Sequence, residues 1–88
     1  MESRFREKFL KDIAFIHHPK ILKAIHEAIL NAEAAGNLQQ IRNIEKMKDA
    51  KNAYRIRVGD YRIGFFLEEN CIEFTRCLHR KEIYRYFP

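Results

Sequence analysis

Apolar and polar side chains alternate along residues 53–79, which is the pattern of β-strands that bury one face and expose the other. The alternation is interrupted at Gly59-Asp60 and again at Glu69-Asn70, and both pairs suit the two-residue turn of a β-hairpin. The pattern therefore predicts three consecutive antiparallel strands, over residues 53–58, 61–68 and 71–79.

Helical spacing replaces this alternation in the first half of the chain. Apolar residues at every third or fourth position predict a helix over about residues 4–16, with Ser3 as its N-cap and residues 1–3 left for a short edge strand. Pro19 fits the first position of a second helix, and Gly36 fits its C-terminal stop. The short connection between the two helices predicts an antiparallel helical hairpin.

The remaining segments are a polar connector and a short C-terminal segment. Residues 37–52 are polar apart from a few apolar anchors, which predicts a loop with room for one short helical turn. The last residues predict a helical turn or an irregular tail, with Ile83 and Phe87 as packing anchors. Helices followed by a run of strands give an α+β fold. We therefore expect one domain over residues 1–88, in which the helical hairpin covers one face of a small antiparallel sheet and leaves the other face open.

The open face of the first predicted hairpin is rich in arginine. With Gly59-Asp60 as the turn, Arg57 lies directly opposite Arg62, and Arg55 lies opposite Gly64, which has no side chain. Like charges placed directly opposite each other destabilise a sheet, so this arrangement favours a surface that binds a polyanion. The alternative is an ordinary solvated face of an amphipathic hairpin.

The third predicted strand extends this arginine face. In the register set by the second turn, Arg62 pairs with Cys77, so that Cys77 and His79 join the arginine face. Arg76 then falls on the core side, where a charge is costly, and this predicts a β-bulge near residues 75–77.

Composition excludes several classes of protein. The chain is 47% apolar and 33% charged, with little glycine or proline, which indicates a globular fold. It has no run of roughly 18 apolar residues and no signal-peptide pattern, so we expect a soluble, cytoplasmic protein without a membrane segment. Its net charge of +5 is too modest to indicate nucleic-acid binding by itself.

The cysteines and histidines predict neither a disulfide nor a metal site. Cys71 and Cys77 lie in one predicted strand about 20 Å apart, which is too far for a disulfide, so we expect two reduced thiols. The cysteines lack a partner pair at metal-ligand spacing and the histidines are scattered. We therefore expect no metal ion and no other cofactor.

The arginine face carries none of the common catalytic motifs, and Glu73 is the only carboxylate predicted near it. Positive charge together with a phenol and an imidazole, without a metal, suits the cleavage of RNA by its own 2′-hydroxyl. The substrate supplies the nucleophile in that reaction. The protein needs only to orient it and to stabilise the negative charge that develops on the phosphorus.

Three segments together resemble the RelE/ParE superfamily of toxins from bacterial and archaeal toxin–antitoxin pairs. They are the hairpin AYRIRVGDYRIGFF, the later strand CIEFTRCLHR and the ending HRKEIYR. The resemblance covers about residues 5–88. RelE-like members are metal-independent endoribonucleases that cut mRNA in the ribosomal A site, so the resemblance implies a ribosome-dependent toxin that inhibits translation.

The resemblance also implies a phosphate-binding set of residues. Arg55 and Arg57 match the two basic positions of the first hairpin strand, and Arg62 matches the arginine that follows the turn. By this match, Arg57 and Arg62 would hold the scissile phosphate and Arg55 the neighbouring RNA backbone. Lys48 and Lys51, in the connector, could reach RNA bound on the sheet, although a solvated loop is the simpler explanation for them.

The later residues of the motif would transfer protons. Arg80, or His79 beside it, would protonate the leaving 5′-oxygen, and Tyr84 would orient or activate the 2′-hydroxyl. Two of the basic positions often hold lysine in this family but hold arginine here, and arginine is a poor general base. The site would therefore use Tyr84 or His79 as its general base, or no general base at all.

Two other functions remain open at this stage. ParE-like members share the fold and inhibit DNA gyrase, but they generally lack the late basic residue and tyrosine that this chain retains, so the RelE-like branch is favoured. A non-catalytic RNA-binding module is the third possibility. In either toxin branch the resemblance implies a cognate antitoxin, and an acidic segment laid over Arg55, Arg57 and Arg62 would neutralise the site in a hetero-oligomeric complex.

Overall fold

The computed structural model describes residues 1–88 as a five-stranded sheet with helices on both faces, which confirms the predicted α+β class. Along the chain the elements are β1 (Glu2–Phe5), α1 (Glu7–Ala14), α2 (Pro19–Ala34), a 3₁₀ turn (Leu38–Gln40), β2 (Ile44–Lys46), β3 (Ala53–Val58), β4 (Tyr61–Glu68), β5 (Cys71–His79) and α3 (Ile83–Tyr86). The strands β3, β4 and β5 have the bounds that the alternation predicts. The short strand β2 lies within the predicted connector and is not predicted by the sequence.

The strands lie side by side in the order β1-β5-β4-β3-β2. Strands β2 to β5 are antiparallel to their neighbours, but β1 runs parallel to β5. The prediction of a purely antiparallel sheet is therefore wrong, and the sheet is mixed. A parallel pair requires a long crossover connection, and the helices and strands between β1 and β5 provide it.

The first helix begins later than its spacing predicts. Phe5 lies in β1 opposite Phe74 of β5, and the centroids of the two rings are 5.1 Å apart. Arg6, and not Ser3, occupies the N-cap position of α1. Phe5 fits a helical spacing with Phe9 and a strand alternation equally well, so the pattern alone does not decide which element it joins.

Helix α2 begins at Pro19, as predicted, and ends at Ala34. The chain leaves it at Ala35 in an extended conformation, so Gly36 does not supply a left-handed stop. Helix α1 packs mainly against β5 and α2 against β3, and both cover the same face of the sheet. None of the helices combines the length and the apolar character that crossing a membrane requires.

The main core lies between these two helices and the sheet. Burial of one phenylalanine or isoleucine side chain contributes about 1.5–3 kcal/mol, so a compact set of such residues is enough to hold the helices in place. The largest fully buried side chains of this core are those of Phe9, Ile25, Ile63, Phe65, Ile72, Phe74 and Cys77.

A second, smaller core lies on the opposite face, which the sequence predicts to be open. Ala53, Ile83 and Phe87 are buried there, and Phe66 and Leu78 pack against them. Ile83 and Phe87 are thus the packing anchors predicted for the C-terminal segment. They hold α3 on the arginine face, so this face is partly covered and its free part is smaller than predicted.

Gly64 allows the C-terminal segment to approach the sheet. A Cβ atom added at Gly64 would lie 2.6 Å from the ring of Phe87, closer than atoms in contact can come. We expect Gly64→Ala to lower the free energy of unfolding by about 1–3 kcal/mol, because the ring must move out of the second core. Chemical denaturation measures this change.

Gly36→Ala is the matched control for this substitution. The nearest atom to a Cβ at Gly36 would be Gln40 Oε1 at 3.5 Å, which is an ordinary contact. The free energy of unfolding of Gly36→Ala should therefore differ from that of the wild type by less than about 0.5 kcal/mol. Equal stability of the two variants would contradict the packing of Phe87 over Gly64.

A β-bulge changes the face of the last residues of β5. Phe65 pairs with Phe74 while Gly64 pairs with Arg76, so Thr75 is an extra residue, as the sequence predicts for this region. The prediction that Arg62 pairs with Cys77 is wrong by one position.

Cys77 pairs instead with Ile63 and lies in the main core, not on the arginine face. Burial, and secondarily the charge of Asp12, raises the pKa of the Cys77 thiol to about 12. Both Cys71 and Cys77 are free thiols, as predicted.

Candidate functional site

The hairpin β3–β4 forms as its sequence predicts. Gly59 has a φ of +57°, which suits glycine at the first position of a two-residue turn, and Asp60 completes the turn. Arg57 pairs with Arg62 and Arg55 pairs with Gly64. The three arginines therefore share one face of the sheet.

Arg62 relieves the repulsion from Arg57 by turning towards the hairpin turn. Its Nη1 donates hydrogen bonds to the carbonyl oxygens of Gly59, at 2.8 Å, and of Tyr61, at 2.9 Å. Burial lowers the pKa of Arg62, and repulsion from Arg55, Arg57 and Arg80 lowers it further. The charge of Glu45 opposes these effects.

Glu45 is the functional candidate that the sequence does not reveal. It lies in β2 directly opposite Arg55, and the two side chains form an ion pair with 3.8 Å between Arg55 Nη2 and Glu45 Oε2. Arg55 Nε is buried without a hydrogen-bond partner. Glu73, predicted to be the only carboxylate near this face, pairs instead with Arg4 and Arg6 at the β1 side of the sheet.

The last residue of β5, His79, and the residue that follows it, Arg80, lie on different faces of the sheet. The backbone N–H of Arg80 donates to the carbonyl oxygen of Asp60 at 2.7 Å, which brings Arg80 close enough to repel Arg62. His79 pairs with Tyr61 and their rings meet edge to face at 5.7 Å between centroids, on the side covered by the helices. The prediction that His79 joins the arginine face is therefore wrong, because the bulge shifts the alternation by one residue.

Tyr84 lies on α3 and is 64% exposed. Its hydroxyl accepts a hydrogen bond from Arg85 Nε at 3.4 Å, and no hydrogen bond or cation–π contact joins it to the arginines of the sheet. Because Ile83 anchors α3 on the arginine face, Tyr84 belongs to the same side of the molecule as that cluster.

The loop between β2 and β3 is organised by Lys46. Its ammonium donates to the carbonyl oxygens of Ala50, at 2.9 Å, and of Lys51, at 2.7 Å. The side chains of Lys48 and Lys51 are exposed, and no contact brings either of them to the arginines. The structure thus agrees with a solvated loop and leaves RNA contact by these lysines as a prediction.

Arg55, Arg57, Arg80 and Glu45 lie around Arg62, and such a cluster suits an anion with several charged oxygens. Guanidinium groups match phosphate geometry, and Arg57 is exposed without a protein partner for its side chain. No three histidine, cysteine or acidic side chains lie close enough together to hold a metal ion. The site therefore defines a class of small sheet protein with a cluster of arginines on one face.

Comparison with known proteins identifies the family of the chain. A family model for the ParE toxin of type II toxin–antitoxin systems matches residues 4–84. Toxin RelE3 of Methanocaldococcus jannaschii is 42% identical to the chain over 90 residues, and the match covers all of both proteins. The chain belongs to this toxin family, within the RelE/ParE superfamily, which confirms the resemblance drawn from its three segments.

Solved structures show the same fold. A chain of the RelB-RelE antitoxin–toxin complex from Methanococcus jannaschii matches with a TM-score of 0.79 at 40% identity, over 96% of this chain and 98% of that one. A chain of the YoeB dimer from Staphylococcus aureus matches with a TM-score of 0.73 at 22% identity, over 90% and 95% of the two chains. At that lower identity the likeness concerns the fold alone.

Proposed function

We propose that this protein is the toxin of a type II toxin–antitoxin pair and a metal-independent endoribonuclease that cuts mRNA on the ribosome. The convergence of Arg55, Arg57, Arg80 and Glu45 around Arg62 carries the proposal, because it joins several groups suited to phosphate to one carboxylate. The names of its relatives, RelE3 and the RelE of the RelB-RelE complex, support the same branch of the superfamily.

The proposed reaction uses the 2′-oxygen of RNA as its nucleophile. That oxygen bonds to the phosphorus while the bond to the 5′-oxygen breaks, leaving a 2′,3′-cyclic phosphate and a 5′-hydroxyl end. The 2′-hydroxyl loses a proton and the departing 5′-oxygen gains one. Arg57 and Arg62 would stabilise the charge that accumulates on the phosphate oxygens, with Arg55 on the adjacent backbone.

Proton transfer falls to the groups around this cluster. Glu45 is a carboxylate facing the arginines, and carboxylates accept protons far more readily at neutral pH than guanidinium groups do. We assign it as the general base, with Tyr84 orienting the 2′-hydroxyl from α3. Arg80 would assist the departing 5′-oxygen, whereas His79, on the other face, would take no part.

The same cluster suits an acidic antitoxin segment. Carboxylates laid over Arg55, Arg57 and Arg62 would neutralise the site and exclude RNA from it. The relatives include complexes of RelE with RelB, which supports a hetero-oligomeric complex of this toxin with its own antitoxin.

A cleavage assay on programmed ribosomes tests the proposed function. The purified protein should cut mRNA in the presence of a chelator, produce 5′-hydroxyl ends, and do little to RNA without ribosomes. An mRNA with a single 2′-deoxy nucleotide at the cleavage position is the matched control. It should bind equally well and remain whole, because it lacks the nucleophile.

Inhibition of DNA gyrase is the second candidate function, because the matching family model is that of ParE toxins. If the protein blocks supercoiling by gyrase and leaves mRNA whole on the ribosome, the ribonuclease proposal is wrong. Cleavage of the 2′-deoxy control would exclude the proposed nucleophile.

A further inference from the structure

The most buried ion pair of the protein lies outside the arginine cluster. Arg76 of β5 donates from Nε to Asp12 Oδ2 at 2.8 Å and from Nη2 to Asp12 Oδ1 at 3.0 Å. The side chains of Arg76 and Asp12 are only 16% and 10% exposed. Such a two-bonded fork fixes the plane of the guanidinium group as well as its position.

The position of this pair follows from the lengths of β1 and β5. Strand β1 pairs with β5 only as far as Phe74, so the outer edge of β5 has no neighbouring strand beyond that residue. Asp12 of α1 takes the place of a strand there, because its Oδ2 also accepts a hydrogen bond from the backbone N–H of Cys77 at 3.0 Å. The carboxylate is thus tied to both the backbone and the side chain of β5.

Arg76 also contacts the opposite face of the sheet. Its guanidinium carbon lies 5.2 Å from the centroid of the Tyr86 ring, within the range of a cation–π contact. Tyr86 belongs to α3, whereas Asp12 belongs to α1. Arg76 therefore connects the helices of the two faces around the edge of β5.

Helix α3 depends on such contacts because it has only four residues. A helix this short is not stable by itself in water. Ile83 and Phe87 anchor it to the sheet, but apolar contacts are not directional and by themselves do not define the orientation of the helix. The contact between Arg76 and Tyr86 is directional, and Tyr86 is only two residues from Tyr84.

We infer that Arg76, held in place by Asp12, is a positioning residue that fixes the orientation of α3 and thereby the position of Tyr84 on the side of the arginine cluster. The part that concerns Tyr84 rests on the proposed ribonuclease function. The part that concerns α3 does not depend on any activity.

Arg76→Met tests this inference, with Arg4→Met as the matched control. Arg4 is 65% exposed and makes only a long ion pair with Glu73, so the control removes the same charge without touching α3. Two readouts are needed. The first is the amide hydrogen exchange of Arg85 and Phe87, whose N–H groups donate hydrogen bonds to the carbonyl oxygens of Glu82 and Ile83. The second is the kinetics of mRNA cleavage on ribosomes.

In Arg76→Met we expect these two amides to exchange at least about 10-fold faster, while the amides at the centre of β3 and β4 keep their protection. We expect kcat to fall about 10-fold and KM to stay within about twofold, because RNA binding depends on the arginines of the sheet and not on α3. Arg4→Met should match the wild-type protein in both readouts.

Arg76→Lys separates charge from geometry. Lysine keeps the positive charge but lacks the planar fork, so we expect it to restore less than half of the lost protection of α3. Full rescue by lysine would show that charge alone is needed and would overturn the inference. If Arg76→Met does not fold, Tyr86→Leu replaces it as the test, because it removes only a half-exposed ring. The amides of Arg85 and Phe87 should then exchange faster by the same factor, at least about 10-fold.

Unchanged amide exchange rates in α3 of Arg76→Met or Tyr86→Leu would overturn the inference. Faster amide exchange with an unchanged kcat would overturn it as well. A wild-type protein that does not cut RNA would refute the proposed function instead. The exchange experiment would still decide whether Arg76 holds α3.

Discussion

Arg57→Gln should lower kcat/KM for ribosome-dependent mRNA cleavage about 100-fold while leaving the fold as stable as before. Arg57 is exposed and its side chain has no partner in the protein, so its charge is free for the substrate. Loss of one preorganised donor at a developing charge typically costs about 10²–10³-fold in rate. The stability should stay within about 0.5 kcal/mol or rise, because removal of Arg57 relieves the repulsion on Arg62.

Arg6→Gln is the matched control for this variant. Arg6 is 62% exposed and lies near Glu73, away from the cluster, so the substitution changes the net charge by the same amount. Its cleavage rate should stay within about twofold of the wild type. Equal losses in the two variants would mean that the total charge of the protein, and not the position of Arg57, attracts the substrate.

Glu45→Gln should lower kcat about 10²–10⁴-fold without raising KM, because it removes the proposed general base from the cluster. It also removes a negative charge beside Arg55 and Arg62, so binding of RNA should become tighter. A fall in kcat accompanied by a fall in KM separates this residue from the arginines, whose loss weakens binding. Single-turnover cleavage on ribosomes over a range of enzyme concentrations measures both quantities.

Glu2→Gln provides the comparison for Glu45→Gln. Glu2 is an exposed glutamate on the other edge strand of the sheet, far from the cluster in the strand order. Its substitution should leave kcat and KM unchanged. An undiminished kcat in Glu45→Gln would assign the proton transfer to another group, and Glu45 would then serve only to align Arg55.

Sequence alternation predicts the central hairpins of this fold because turn and strand signals agree there. Gly59 supplies the positive φ that the turn requires, and the residues on either side alternate without a break, so the pairing of Arg57 with Arg62 follows directly. The arginines proposed to bind phosphate, Arg55, Arg57 and Arg62, lie within this segment. They are therefore the part of the site that could be predicted.

The errors arise where local patterns are ambiguous or too short. Phe5 fits two periodicities, and only its partner Phe74 decides between them. Strand β2 has three residues, of which two are charged, so no alternation reveals it or the position of Glu45. The sequence predicts a bulge near residues 75–77 but does not show that Thr75 is the extra residue. A shift of one residue is enough to move His79 to the other face.

The parallel pairing of β1 with β5 also bears on when the toxin becomes active. Glu2 lies opposite Cys71, so the first strand has no neighbour until most of the chain has been synthesised. Contacts between residues so distant in sequence form late, since the entropy of closing a long loop must first be overcome. The segment that carries Tyr84 follows β5, so on the proposed function the site is assembled only after every strand of the sheet has been synthesised.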